Sequence, residues 1–353
     1  MPEGTAAPPR RWGKNRKRLL GGVATAVVVG AVFVFVLPRI ADYGEVWDVL
    51  QDVGLTEALL LAGVTLLNLV TFAPPWLVAL PGLRFRQAFV MTQASTALSL
   101  VSPAGAAVGM AGSYSMLRNW GFGAAPVALA VAVTGIWNQF ANLAFPIVAL
   151  VLLTGVDQDD PALRTAALVG LVVLVVAIGA FALALSSRQR ARRIGDLAAR
   201  LATRALRLFR RGPVAWGGES LARFRSGALG LLGRRWHVLT LTTLVGHLTV
   251  FLLLVVCLRV VGVSGGDVSW VEAFAAWSLV RILGALPLTP GGVGIVEVGL
   301  SGALVAFGAS NADAVAATLL YRSLTVLPTL GLGMLAATTW RSHHPGDRLG
   351  SSG

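Results

Sequence analysis

Three ionisable side chains interrupt long apolar stretches in the C-terminal half of the sequence: Arg281, Glu297 and Arg322. A carboxylate and a guanidinium can form a charge-assisted hydrogen-bonded pair, which would leave the second arginine free to bind an anionic group such as a phosphate. The sequence leaves open which arginine pairs with Glu297. Two alternatives are that the arginines extend to a polar interface, and that Glu297 serves only as a structural ion-pair partner or carries protons.

Proline and glycine residues between Arg281 and Glu297 predict a helix that breaks and then restarts. Thr289-Pro290-Gly291-Gly292 is followed by Gly294. Proline removes a backbone N–H, and the glycines permit a tight reversal. The N-terminus of the second helix would carry partial positive charge beside accessible backbone, so an anion could approach it closely. The alternative is that these glycines only permit close helix packing.

A similar break is present in the N-terminal half at Ser102-Pro103-Ala104-Gly105, and Gln87-Ala88-Phe89 before it resembles Glu272-Ala273-Phe274. These two matches indicate an internal repeat. Polar Asn138 and Gln139 could line the same cavity as the charged residues, or they could form hydrogen bonds between helices. The candidate substrate-binding residues are Ser102, Pro103, Gly105, Asn138, Gln139, Arg281, Thr289, Pro290, Gly291, Gly292, Gly294, Glu297 and Arg322.

The composition places these residues in a membrane protein. Hydrophobic residues make up 56% of the chain and charged ones only 13%, whereas soluble domains carry roughly 25% charged residues. The net charge of +13 could suggest a nucleic-acid partner, but the basic residues lie in blocks beside apolar runs, which is typical of topology signals. The single cysteine, Cys257, excludes a disulfide framework, and His237 and His247 lack neighbours at metal-ligand spacing.

Apolar runs of about 20 residues predict an all-α integral membrane protein with about six transmembrane helices. The predicted spans are Leu19–Leu37, Leu55–Leu80, Ala124–Leu153, Ala162–Leu185, His237–Val261 and Ala312–Trp340. Two further apolar stretches, Gln87–Trp120 and Trp270–Phe307, carry proline and glycines near their middle. Each is predicted to be a re-entrant helical hairpin.

Charges in the connecting segments predict the orientation. The tail over 1–18 and the loop over 186–236 are rich in arginine, so both are predicted to be cytoplasmic, as is the tail over 341–353. Residues 19–340 then form one membrane domain, whose repeats, 55–153 and 237–340, have opposite orientation. Inverted repeats are typical of transporters, because a site between them can open alternately to either side.

The arginine-rich loop has helical periodicity of its own. Apolar residues recur at spacings of three and four, and arginines occupy another face. The apolar set is Ile194, Leu197, Leu201, Ala205 and Leu208, and the basic set is Arg193, Arg200, Arg204, Arg207 and Arg211. This pattern predicts an amphipathic helix on the membrane surface that binds anionic lipid headgroups, with gating or partner docking as the alternative roles.

The run Pro290-Gly291-Gly292-Val293-Gly294-Ile295-Val296-Glu297 resembles the motif of the lysylphosphatidylglycerol synthase transmembrane-region family, Pro-Gly-Gly-x-Gly-x-x-Glu. Members carry an arginine on either side of this motif, matched by Arg281 and Arg322. The resemblance extends over roughly Arg18 to Trp340, although the motif is well matched only in the second repeat. Bifunctional members join a lipid-flipping membrane domain to a soluble aminoacyl transferase domain. Because the resemblance covers the membrane domain only, it implies a stand-alone, flippase-like member without the synthase domain.

The first repeat departs from the family pattern. Many members carry Gly-Glu followed by arginines, whereas this sequence has Gly105-Ala106 at that point. Trp137-Asn138-Gln139 stands where an arginine is often found. The resemblance consequently leaves the lipid open among a phospholipid, an aminoacyl-phospholipid and a lipid-linked sugar.

The residues and the resemblance together predict a lipid flippase or transporter for an anionic polar lipid in the bacterial plasma membrane. No cofactor, metal or nucleic-acid partner is expected, and the sequence has no P-loop motif. The expected partners are membrane lipids, and a homo-oligomer or a lipid-synthesising enzyme is also considered. Two alternatives are a membrane scaffold without transport and a membrane glycosyltransferase. The latter would take its base from Asp42, Glu45, Asp48 or Asp52.

Overall fold

The structure is a computed structural model and describes residues 44, 47–48, 51, 53–102, 105–156, 161–208, 212–214, 216–285 and 289–339. Its regular elements within these ranges are all helical. The predicted first span, Leu19–Leu37, and both tails lie outside them. The helices are α1 (Leu55–Thr71), α2 (Pro74–Ala79), α3 (Phe85–Leu100), α4 (Gly105–Asn119), α5 (Ala124–Val156), α6 (Pro161–Ser186), α7 (Arg188–Leu208), α8 (Gly218–Val260), α9 (Trp270–Ala285), α10 (Ile295–Ala306) and α11 (Asn311–Thr339), with a 3₁₀ turn at Pro290–Gly292.

Five helical segments of the described part are long and apolar enough to cross a membrane. They are Leu55–Ala79, Ala124–Gly155, Arg164–Ser186, Gly218–Val260 and Asn311–Ala336. These segments confirm five of the six predicted spans as helices of spanning length. The chain is therefore a multi-pass, all-helical membrane protein.

Helix α8 is longer than the sequence predicts. It begins at Gly218 rather than near His237 and has 43 residues, which corresponds to about 65 Å, roughly twice the thickness of the bilayer hydrocarbon. The arginines before His237 end the apolar run, and for that reason they predict a loop. Arginine has a high helix propensity, however, so a helix can continue through such residues into the aqueous phase.

The span predicted over Leu55–Leu80 consists of two helices, α1 and α2. Pro74 and Pro75 supply no N–H to the carbonyls one turn earlier, so the helical hydrogen-bond ladder is interrupted. The side chain of Gln93 compensates in part by donating to the carbonyl of Leu69 at 3.1 Å. The break is thus stabilised by a polar side chain from α3.

Helices α3, α4, α9 and α10 occupy the two stretches predicted to be re-entrant hairpins, and each pair is separated near the predicted proline and glycine residues. They have 16, 15, 16 and 12 residues, so the longest measures about 24 Å, less than the hydrocarbon thickness of about 30 Å. Their re-entrant placement in the bilayer stays a prediction.

The two halves of the chain pack on each other reciprocally. The first long helices, α1 and α8, are in contact; α5 of the first half packs on α9, and α11 of the second half packs on α3. Helices α1 and α8 run antiparallel, since Asn68 bonds to Thr249 while Phe72, one turn later, lies against Gly246, about one turn earlier. This packing agrees with the order of elements in the two predicted repeats, and their inverted orientation in the membrane stays a prediction.

Candidate functional site

A cavity of about 260 Å³ lies between the second hairpin and the long helices α5 and α11. Its lining includes Asn142, Trp277, Arg281, Gly291, Tyr321 and Arg322. Helix α9 supplies Trp277 and Arg281 from one face, because residues four positions apart lie on the same side of a helix. The cavity therefore combines two guanidinium groups with aromatic rings and glycine backbone.

Glu297 and Arg322 form a buried ion pair beside this cavity. Arg322 Nε donates to Glu297 Oε1 at 2.7 Å, and Arg322 Nη2 donates to the carbonyl of Gly291 at 3.0 Å. The second carboxylate oxygen, Oε2, accepts the N–H of Gly294 at 2.6 Å. The side chains of Arg322 and Glu297 are only 14% and 4% exposed. Of the two pairings that the sequence leaves open, the structure has the one with Arg322.

The local sequence explains why the carboxylate reaches the helix break. Glu297 is the third residue of α10 and Gly294 precedes the first, so the side chain folds back onto the N-terminal N–H. Gly291, Gly292 and Gly294 have φ angles of +63°, +68° and +88°. An L residue with a β-carbon is strained in this left-handed region, so glycine is needed at these positions.

Gly291→Ala should destabilise the protein. The left-handed conformation costs a non-glycine residue about 1–2 kcal/mol. A β-carbon at this position would also lie 3.1 Å from the carbonyl oxygen of Leu100 in α3. Gly302→Ala is the matched control, because a β-carbon there meets nothing within 4 Å and alanine favours the helix. Thermal unfolding in detergent should give a lower midpoint for Gly291→Ala than for Gly302→Ala, and equal midpoints would contradict the tight packing of the turn on α3.

Arg281 is a partly buried cation without a carboxylate partner among the described residues. Its Nη2 donates to Asn142 Oδ1 at 2.7 Å and to His247 Nδ1 at 2.8 Å. The guanidinium carbon lies 4.8 Å from the ring centroid of Trp277, a cation–π contact that offsets part of the cost of burial. The Nε–H is buried and has no hydrogen-bond partner in the described part of the chain. Arg281 therefore keeps an unneutralised charge and an unused donor.

His247 links Arg281 to α5 and is the main site residue that the sequence does not single out. Because arginine can only donate, His247 Nδ1 accepts, and the proton lies on Nε2, which donates to Asn138 Oδ1 at 2.7 Å. This is the neutral imidazole, so Arg281, Arg322 and Glu297 leave the site one positive charge in excess. The sequence could have indicated His247 by its residue type, because an ionisable side chain inside a membrane span needs a polar partner.

Four other predicted site residues are not among those that line the cavity. Asn138 and Gln139 are exposed; Asn138 contacts His247, and Gln139 Oε1 accepts from Asn142 Nδ2 at 3.3 Å. Thr289 is buried, with a hydroxyl that has no hydrogen-bond partner within the described residues. Pro290 begins the 3₁₀ turn. The contact of these residues with a ligand stays a prediction.

The described residues of the first break that were predicted to bind substrate, Ser102 and Gly105, are not among those that line the cavity. A β-carbon at Gly105 would lie 2.6 Å from the carbonyl oxygen of Ser99, so this glycine allows α3 and α4 to pack closely. Ser102 follows the end of α3, and Pro103 lies outside the described residues. The first break nevertheless reaches the site through Leu100, which packs on Gly291.

The structure tests metal binding and the proposed catalytic acids only where residues are described. In that part of the chain, no group of three or more His, Cys, Asp or Glu side chains could hold a metal ion. Asp48 is exposed and accepts a hydrogen bond from Gln51. Asp42, Glu45 and Asp52 lie outside the described residues.

Comparison with known proteins supports the resemblance seen in the motif. The family model described as lysylphosphatidylglycerol synthase TM region matches residues 23–333, a range that includes every residue that lines the cavity. No curated protein gives a significant match. The chain therefore belongs to the lysylphosphatidylglycerol synthase TM region family.

Proposed function

We propose that this protein is a lipid flippase that binds the anionic headgroup of a polar lipid at Arg281. The observation that carries this proposal is the partly buried guanidinium of Arg281, which faces a cavity and has no carboxylate partner in the described chain. A charge at the bilayer centre costs roughly 2.5–3.5 kcal/mol on insertion scales. An anionic ligand would offset that cost, whereas a purely structural arginine gains nothing from being unpaired.

The depth of Arg281 fits this role. It is the twelfth residue of α9, about 17 Å along the helix, so with the predicted re-entrant placement it would lie near the middle of a hydrocarbon layer of about 30 Å. Binding sites of secondary transporters with repeated halves lie near the bilayer midplane. A headgroup bound to Arg281 would be halfway between the two leaflets.

The size and charge of the cavity fit a headgroup rather than a whole lipid. Its volume of about 260 Å³ is slightly below the usual range of about 300–1,000 Å³ for ligand pockets. The acyl chains would therefore remain in the bilayer while the headgroup enters. The excess positive charge complements a phosphate group, which phospholipids, aminoacyl-phospholipids and lipid-linked sugars all contain.

A catalytic role for the cavity has less support. Glu297 already binds Arg322 through one oxygen and the Gly294 N–H through the other, so neither oxygen is free to act as a general base.

We also propose that the protein lies in the bacterial plasma membrane. Both termini would be cytoplasmic, because α7 and the start of α8 are rich in arginine and such segments remain on the cytoplasmic side.

Reconstitution in liposomes tests the proposed function. Fluorescent phosphatidylglycerol distributes over both leaflets, and a membrane-impermeant reductant removes only the fluorescence of the outer leaflet. Vesicles with the protein should lose the inner-leaflet fluorescence as well, whereas protein-free vesicles should keep it. A fluorescent lipid-linked sugar is the second candidate substrate. If both labels remain protected in vesicles that contain folded protein, the flippase assignment is wrong.

A further inference from the structure

Helix α7 packs within the protein through only one part of its circumference. Ala191 is fully buried, and Gly195 lies against the backbone of Gly218 at the start of α8. Asp196 accepts the Gly218 N–H at 2.7 Å and so caps α8. On the same side of α7, Glu219 of α8 forms ion pairs with two arginines, Arg188 and Arg192. These contacts hold α7 in a fixed orientation against α8.

A second face of α7 is apolar and exposed among the described residues. We call Ile194, Leu197 and Leu201 the apolar ridge; their exposed fractions are 39%, 54% and 55%. Their spacing of three and four residues aligns them in one stripe, roughly 100° around the helix from the face that packs on α8. An exposed stripe of this kind needs a partner that removes it from water.

A third face of α7, on the far side of the apolar ridge, is cationic. Arg193, Arg200, Arg204 and Arg207 are exposed there, and no carboxylate forms an ion pair with them within the described residues. An apolar stripe beside unpaired guanidinium groups is typical of a helix that lies in the headgroup layer, with its apolar side chains inserted and its cations on lipid phosphates.

We infer that α7 docks on the adjacent membrane leaflet, where the apolar ridge inserts below the headgroups and the flanking arginines bind anionic phospholipids. Charge complementarity selects this partner, because the arginines have no counter-charge in the described chain and an anionic leaflet supplies one. Helix α7 begins two residues after α6 ends, and Leu201 lies about 20 Å further along the helix. The apolar ridge thus starts at the membrane surface. This docking is independent of transport through the cavity.

Site-specific fluorescence on the full chain tests the docking. Cys257 is buried and would be replaced by alanine; Leu197→Cys would then carry an environment-sensitive probe in reconstituted vesicles. Gln189→Cys is the matched control, because Gln189 is exposed, closer to the end of α6, and lies on the arginine side of α7. The vesicles would contain phosphatidylcholine with brominated acyl chains, either alone or with about one lipid in four replaced by brominated phosphatidylglycerol.

Brominated chains should reduce the emission of the Leu197→Cys probe about twofold or more when phosphatidylglycerol is present, and should hardly change that of the Gln189→Cys probe. When Arg193, Arg200 and Arg204 are all replaced by glutamine, the quenching of the Leu197→Cys probe should no longer depend on phosphatidylglycerol. Aqueous iodide quenches probes that are exposed to water. If iodide quenches both probes equally, both with and without phosphatidylglycerol, the proposal is overturned. A Leu197→Cys probe shielded from both quenchers would also overturn it and would indicate a protein partner.

Discussion

Arg281→Ala should lower the rate of lipid flipping by about 10²- to 10⁴-fold, because two charge-assisted hydrogen bonds to a phosphate contribute about 1.5–3 kcal/mol each. The variant should remain folded. In the free protein the guanidinium is partly buried and has no carboxylate partner among the described residues, so its removal leaves Asn142 and His247 without a donor but also removes a partly desolvated charge. The measurement is the accessibility of fluorescent phosphatidylglycerol in liposomes, together with the thermal unfolding midpoint.

Two further variants sharpen this experiment. Arg281→Lys keeps the charge but offers a single ammonium group, which cannot bond to Asn142, to His247 and to a phosphate with the same geometry. It should flip lipid more slowly than the wild type and faster than Arg281→Ala. Arg234→Ala removes an exposed arginine of α8 and should flip at the wild-type rate. Wild-type flipping by folded Arg281→Ala would show that Arg281 does not bind the headgroup.

Glu297→Gln should cause the largest loss of stability among single substitutions at the site. The substitution removes the counter-ion of the Arg322 guanidinium. The side chain of Arg322 is only 14% exposed, so water cannot replace that counter-ion fully. Removing one partner of a buried pair costs about 3–5 kcal/mol, because the other charge stays desolvated. Thermal unfolding in detergent should show a clearly lower midpoint. The additional substitution Arg322→Met should restore part of it, since neither position of the former pair then carries an unpaired charge.

The exposed ion pairs of Glu219 provide the control for this prediction. Glu219 contacts Arg188 and Arg192, but the side chains are about half exposed, so water already solvates the charges. Glu219→Gln should change the midpoint little. A similar small change for Glu297→Gln, or a further loss on adding Arg322→Met, would contradict a stabilising role for the buried pair.

The fold could be predicted from the sequence where local chemistry determines it. Pro290 interrupts a helix because it has no backbone N–H, and the glycines at 291, 292 and 294 do so because they adopt left-handed conformations. The turn therefore lies where the sequence predicts it. The start of α8 could not be predicted in the same way. Hydropathy marks where the chain leaves the apolar layer, and Gly218–Val260 continues as a helix well beyond that point.

The partners within the site depend on contacts between distant positions, which no local pattern encodes. Arg281 and Asn142 are 139 positions apart, and His247 comes from a third helix. The sequence predicts that Glu297 pairs with an arginine, but both candidates lie within reach along the chain. Only the packing of α11 beside the turn brings Arg322 to the carboxylate and leaves Arg281 for the cavity.

The turn at Gly291 links α3 mechanically to α11. Gly291 packs on Leu100 of α3 and is bonded through its carbonyl to Arg322 of α11, which itself packs on α3 through Gly333. A movement of the turn away from α3 would therefore either break the bond to Arg322 or carry α11 with it. A rearrangement around the cavity would thus involve helices from both halves of the chain at once.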